Sequence, residues 1–193
     1  MKMAVFIHPS SEVHPDSEIG DGTYIWNNVQ IREKVKIGMN CIIGKGAYID
    51  IGVTIGNNVK IQNHVSVYAG IEIEDDVFIG PNATFTNDMY PRATSRDWQI
   101  VPTKLRHGCS IGANATIICG VVIGPFSMIA AGAVVSTNVP PFALMTGNPS
   151  RIVGFVCKKG HPMIQTNTME EKLRFECPTC GQKLSFSVIA DIV

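Results

Sequence analysis

The sequence predicts an all-β chain wound as a parallel β-helix of six-residue repeats. Three observations carry that prediction: a bulky apolar residue at every sixth position, a small or β-branched residue four places after it, and turn residues beyond. The bulky series runs Ile7, Val13, Ile19, Ile25, Ile31, Ile37, Ile43, Ile49, Ile55, Ile61, Val67, Ile73, Ile79 and Phe85. The second series runs Ser11, Ser17, Thr23, Val29, Val35, Cys41, Ala47, Val53, Val59, Val65, Ile71, Val77, Ala83 and Met89. The phase breaks after Phe85 and resumes at Leu105, Ile111, Ile117, Ile123, Ile129 and Val135, with Cys109, Ala115, Val121, Ser127, Ala133 and Val139 as partners. Together these are twenty hexads in two blocks.

A period of six contains the strand period of two and fits neither an amphipathic helix nor a coiled coil. Gly follows the bulky residue at 20, 38, 44, 56, 80, 112 and 124, with Asn, Asp and Gly recurring beyond it. Those are turn residues that tolerate positive φ. Each hexad is therefore a short strand and a turn. So short a strand buries its apolar side only by stacking on its neighbours in a solenoid. A β-sandwich of short strands does not hold strict phase over fourteen hexads.

Composition bounds the function. The 193 residues carry 16 basic and 16 acidic side chains, which gives no electrostatic case for nucleic acid or an anionic membrane. With 45% hydrophobic and 17% charged residues the chain buries a core. No apolar run reaches the roughly 18 residues of a membrane span. The opening run to Pro9 is too short for a signal peptide, so a cytoplasmic location is expected.

Residues 86–104 carry no hexad phase but hold Tyr90, Trp98, Arg92, Arg96 and Lys104. An aromatic-bearing insertion of this length predicts an ordered loop extruded from one corner, over a site or against a neighbouring subunit. The hexads end near Val139, where Pro140 and Pro141 break the ladder. The chain thus divides into a β-helix, residues 1–155, and a small module, 156–193. In the module Cys157 and His161 precede Cys177-Pro178-Thr179-Cys180-Gly181, a zinc-knuckle spacing. Short strands are expected at Leu173–Phe175 and Lys183–Phe186. The reading is a zinc ribbon with Cys157, His161, Cys177 and Cys180 as ligands, all positions filled by protein and the metal structural; the alternative is four groups left free. So small an appendage has little core of its own, and a metal staple suits it.

The hexad, bulky apolar then Gly then a small residue, resembles the left-handed hexapeptide-repeat acyltransferases. In that family three hexads make one triangular coil, so residues 18 apart stack; twenty hexads give about 6.7 coils and a prism roughly 30 Å tall. Gly80-Pro81-Asn82-Ala83-Thr84-Phe85-Thr86-Asn87-Asp88-Met89-Tyr90-Pro91-Arg92 is similar to a segment of the nucleotide-sugar 3-N-acetyltransferases, which acetylate UDP- or dTDP-linked 3-amino sugars for surface polysaccharide. Ile61–Gly70, Ile111–Ile117 and the closing Gly147-Asn148-Pro149-Ser150-Arg151 resemble the same group, over roughly residues 8–155. Two positions depart from it: His64 stands in place of Asn and Ala69 in place of an acidic residue.

The resemblance implies acetyl-CoA as co-substrate, a homotrimer, and sites in the grooves between protomers. It places CoA along Gly112, Ala113, Ala130, Ala131 and Gly132, which otherwise are only corners of the prism. Arg151, Lys104 and Arg106 are the candidate cations for CoA phosphate, or plain surface charges. Asn87 and Asp88 are candidates to orient the amine and take its proton, or simply an Asx turn. His64 is the alternative base. Tyr68, Tyr90 and Arg92 are candidates for sugar and diphosphate, and Trp26 and Asn28 for the base, with Trp26 otherwise a cap on the prism. An alcohol acceptor would make the chain an O-acetyltransferase, and a scaffold that binds a partner is the non-enzymatic reading. A γ-class carbonic anhydrase, which shares this fold, needs three metal-binding His. His64 and His107 alone do not supply them, and His8 and His14 read as surface residues.

Overall fold

The computed structural model describes residues 4–169 and 172–187. The predicted period becomes a three-faced parallel solenoid without a helix, consistent with the left-handed hexapeptide form. The first face stacks Phe6–Ile7, Tyr24–Ile25, Ile42–Ile43, Lys60–Ile61, Phe78–Ile79, Ser110–Ile111 and Met128–Ile129. The second runs from Glu12–Val13 to Val134–Val135 in seven strands, and the third from Glu18–Ile19 to Val122–Ile123 in six. Register is 18 residues per coil, as in Ile25 on Ile43 and Ile43 on Ile61. Beyond the insertion it becomes 32, Ile79 on Ile111.

Both sequence series point inward. Ile43, Ile61, Ile79, Ile111 and Ile117 are fully buried, as are Val59, Val65, Cys109 and Ala115. Each buried Ile contributes about 2–3 kcal/mol of burial. Coverage depends on having a coil on each side: Ile25 is 0% exposed, whereas Ile7 on the end coil is 41% exposed. Met89, assigned to the second series, lies outside the coils and is exposed.

The repeated glycines have a different cause from the one the sequence suggested. Gly20, Gly38, Gly44, Gly56, Gly80, Gly112 and Gly124 do not take positive φ. They stand where adjacent coils nearly touch: a Cβ on Gly20 would lie 2.5 Å from the Gly38 carbonyl carbon, and one on Gly80 2.6 Å from the Ala113 nitrogen. The left-handed residues come two places later. Asn28, Gly46, His64, Asn82, Asn114 and Gly132 form one such column.

The strand ladder also runs on past Pro140 and Pro141, where the sequence predicts that it stops. The prolines shorten one coil rather than stopping the ladder. Val139 still bridges Ile123, and Ala143–Thr146 pairs in parallel with Met128–Ile129 at a step of 16 residues. Arg151–Phe155 then returns antiparallel along that strand. The C-terminal module is a three-stranded antiparallel sheet of Ile164–Met169, Lys172–Glu176 and Lys183–Ser187, the first of which the sequence reading missed. Phe155 joins it to the solenoid, packing on Phe175 at 4.7 Å and Phe186 at 4.5 Å. The three rings close the end of the solenoid's core.

Candidate functional site

The three corners of the prism hold different chemistry. The first corner, between the first and second faces, carries His64 and the small residues. The second, between the second and third faces, carries Asn87, Asp88 and the loop. Within one protomer the structure therefore does not bring His64 to Asn87 and Asp88; they flank the width of the second face.

At the first corner the chain turns through left-handed residues, and His64 is one of them, with φ 59°. Its ring lies against Gly46 of the preceding coil, where an added Cβ would sit 2.7 Å from Nδ1, and it is exposed. Above it in the column come Asn82, Asn114 and Gly132, at roughly 4.8 Å per rung. Lower on this corner a side chain from the next coil caps the backbone: Lys45 N–H donates to Asn63 Oδ1 at 3.0 Å. Ala113 and Ala131 hold the equivalent place, no acceptor side chain follows them, and their N–H groups make no hydrogen bond among the described residues. Gly112 lets the Ala130–Ala131 backbone approach closely. The C-terminal end of the corner thus presents two open donors beside alanine and glycine, in addition to the uncapped Asn27 and Asn63 N–H groups lower down. Asn28 and Trp26 lie on the same corner at its N-terminal end, Trp26 edge-on to Phe6 at 6.1 Å.

The loop leaves the second corner at Asn87 and returns at Thr103–Leu105, which is already a strand of the third face. Its neck is tied by Asn87, whose Nδ2 donates to the Ala69 carbonyl at 3.3 Å and whose carbonyl accepts from Val101 N–H at 2.9 Å. Ile100 lies against Gly70, where no Cβ would fit, and Val101 against Gly120. Asn87, Asp88, Arg92 and Trp98 line one open pocket of about 490 Å³. Asp88 spends one carboxylate oxygen on the Tyr90 N–H at 2.9 Å, so the Asx-type turn is present. Tyr90 itself points away, 84% exposed, and Trp98 is 53% exposed. Tyr68 sits one coil below, its ring 6.2 Å from Tyr48.

Sequence reasoning missed what supports this corner. Asp50 Oδ2 accepts the Ala69 N–H at 3.2 Å, Oδ1 accepts the Tyr48 hydroxyl at 2.9 Å, and Arg32 donates to Tyr48 Oη at 3.2 Å. The 18-residue step from Arg32 to Asp50 was the available signal.

Two of the three predicted phosphate cations are engaged elsewhere. Lys104 Nζ lies 3.1 Å from Glu72, and Arg106 lies 2.5 Å from Glu74, which also accepts the His107 N–H at 2.8 Å. The Arg106 guanidinium draws the Glu74 carboxyl below its ordinary range; burial opposes this and the His107 N–H assists it. Arg151 is exposed and has no carboxylate partner among the described residues.

The four predicted metal donors converge. The ligand atoms of Cys157, His161, Cys177 and Cys180 lie within 4.8 Å of one another, and Cys177 Sγ is 3.9 Å from His161 Nδ1. Zinc–sulfur bonds near 2.3 Å give tetrahedral edges of about 3.8 Å, so the donor set fits. Burial pushes the Cys177 thiol up, but the N–H groups of Cys180 and Thr179 and the neighbouring thiols outweigh it and bring the thiol down to about 6. A thiolate at neutral pH is what a metal takes. The solenoid's Cys109 is the opposite case, pushed up to about 12 by burial.

The bacterial transferase hexapeptide (six repeats) family matches residues 16–50, 52–87 and 102–137. A curated relative, the dTDP-3-amino-3,6-dideoxy-alpha-D-galactopyranose 3-N-acetyltransferase of Aneurinibacillus thermoaerophilus, is 48% identical over 56 residues, which is 29% of each chain. The chain thus aligns with under a third of that relative's length. Two solved structures share the fold. One is a variant of the GDP-perosamine N-acetyltransferase of Caulobacter crescentus in complex with CoA and GDP-perosamine. Its TM-score is 0.52 at 22% identity, covering 79% of this chain and 58% of that one. The other is the UDP-N-acetylglucosamine acyltransferase of Campylobacter jejuni, with TM-score 0.50 at 20% identity, covering 77% and 74%.

Proposed function

Since the chain belongs to the bacterial transferase hexapeptide family, we propose that it is an acetyl-CoA-dependent N-acetyltransferase. Its acceptor is the amino group of a UDP- or dTDP-linked amino sugar, in surface polysaccharide synthesis in the cytoplasm. The observation that carries the reading is the pair of half-sites on different corners: open backbone donors on the rungs above His64 on one, the Asn87 pocket on the other. A homotrimer with prism axes side by side sets the first corner of one protomer against the loop of the next. The loop's exposed Trp98 and Met89 supply apolar surface for that contact.

In this site the pantetheine arm lies along Gly112–Ala113 and Ala130–Gly132, its amides met by the Ala113 and Ala131 N–H groups. The thioester then falls near His64. The sugar nucleotide occupies the loop pocket, where Trp98 and Arg92 hold it and Asn87 and Asp88 orient the amine. The neutral amine attacks the carbonyl, the tetrahedral oxyanion takes hydrogen bonds from donors aimed at it, and CoA leaves as thiolate. His64 or the free Asp88 oxygen accepts the amine proton. The Cys157–His161–Cys177–Cys180 set holds a structural zinc ion, which when bound cross-links the small module; all four ligands are protein, so no acetyl-transfer step runs through it.

Thiol release from acetyl-CoA, measured against a panel of amino-sugar nucleotides, tests this. Turnover with at least one amino sugar, and none with the matching hydroxy sugar, is expected. Turnover with hydroxy sugars alone, or none with any, contradicts it.

A further inference from the structure

A second pocket lies where the C-terminal module meets the solenoid. It encloses about 260 Å³ between Lys158 and Lys159 of the knuckle and Ser110, Phe126 and Met128 of the coils, with Asp76 on its rim. It is built of fixed parts. Phe126 holds a left-handed conformation, φ 55°, stacked on Phe142 at 5.2 Å with the His107 ring edge-on at 5.1 Å. A Cβ on Gly160 would sit 2.8 Å from Met128 Cε, so the knuckle rests directly on the first face. The Val156 N–H donates to the Phe142 carbonyl at 2.9 Å, and the Lys158 N–H to Gln182 Oε1 at 3.0 Å.

The charges in this pocket differ from those on the coils. Lys104 and Arg106 face carboxylates of the preceding coil. Lys158 and Lys159 have no carboxylate partner among the described residues, and Lys158 Nζ is parked 5.2 Å over the Phe126 ring. Asp76 is the one acid in the lining among the described residues, and it is already occupied by Asn58 Nδ2 at 3.0 Å and His107 Nε2 at 3.7 Å. Two ammonium groups without a carboxylate partner among the described residues, at a polar pocket, suit phosphate oxygens.

Position makes the assignment specific. The pocket lies on the first face: Ser110 and Met128 stand two residues before Gly112 and Ala130, and Asp76, Gly108 and Phe126 put its far end on the third corner, one face width, roughly 15 Å, from the Ala113 and Ala131 N–H groups. From the His64 rung to the Met128 rung is about 14 Å along the axis. A thioester at His64 whose arm passes the corner and crosses the first face spans roughly 20 Å and so delivers the phosphorylated end of CoA here. We propose that Lys158 and Lys159 bind the phosphates of CoA, so that the metal-binding module is part of the co-substrate site rather than an appendage. This rests on the acetyl-CoA reading above.

The test is calorimetric titration of the full chain with CoA and, separately, with pantetheine, which lacks the phosphates. In Lys158→Gln/Lys159→Gln the CoA dissociation constant should rise about tenfold or more while that for pantetheine stays unchanged. Both side chains are exposed, and Lys159→Gln alone repeats the readout with the Lys158–Phe126 contact intact, at a smaller rise. Unchanged CoA affinity overturns the proposal and leaves the acetyltransferase standing. Equal weakening of CoA and pantetheine also overturns it, since the knuckle would then act on the corner's shape. A wild-type chain that binds neither removes the acetyl-CoA reading as well. UDP included as a third ligand separates the sources: a loss confined to UDP assigns the lysines to the sugar nucleotide and overturns the proposal.

Discussion

The solenoid and the C-terminal module solve the same problem with different means. In the solenoid each coil is covered by the next, so Ile61, Ile79 and Ile111 lose all exposure without any one of them being special. Among its described residues the module has three short strands and two buried rings, Phe175 and Phe186, which pack on Phe155 of the solenoid, and it cannot repeat its way to a core. Where the solenoid has further coils, the module has four potential metal donors within 4.8 Å of one another. Stability in the first region is a sum over neighbours; with the zinc proposed above, in the second it would hang on one ligand set.

That contrast is tested most forcefully at the proposed zinc site. Cys177→Ser, or chelation of the wild type, should unfold the module while the solenoid keeps its β circular-dichroism signal. Joint unfolding of both regions would show that they are one cooperative unit. Next in size, Ile111→Ala should cost about 2–5 kcal/mol in urea denaturation, because rigid coils on both sides cannot collapse into the cavity. The same change at Ile7, already 41% exposed on the end coil, should cost far less. His64→Ala should lower kcat about 100-fold with little change in melting temperature, since the ring is exposed and lies against Gly46 without holding the coil. The smallest effect concerns pH. Glu74 is held below its ordinary carboxyl range by Arg106, so its stabilising contribution is complete above about pH 4.5. It fades as pH falls through the depressed folded value. Glu74→Gln should therefore be less stable than the wild type by about 1 kcal/mol or less near neutrality. The gap should close in acid, as read by melting temperature against pH.

Much of this was legible in the sequence because a solenoid writes its geometry as a period. The two apolar series gave the faces, and the interruption after Phe85 gave the loop. The convergence of Cys157, His161, Cys177 and Cys180 was legible from the Cys-x3-His and Cys-x2-Cys spacings. The separation of His64 from Asp88 was also legible but went unused: 24 residues is one coil and one further face, so they could not share a corner. What was not legible depended on contacts across the insertion. Glu74 and Arg106 meet only because the step there is 32 residues. The extra rung at Ala143–Thr146 was hidden because Pro140 and Pro141 shorten its coil to 16. The lysines of the knuckle had no period to place them. Their site exists only because the module folds back onto Met128.

The central claim is that one acetyl-transfer site is made from the first corner of one protomer and the loop of the next. Ala131→Trp fills the corner groove from an exposed position, and Asn87→Ala empties the loop pocket; each alone should be inactive. Mixed in equal amounts and reassembled as trimers, the two should recover about a quarter of wild-type thiol release, the chance that an intact corner meets an intact loop. A mixture as inactive as its parents would place both half-sites within a single protomer and contradict the account.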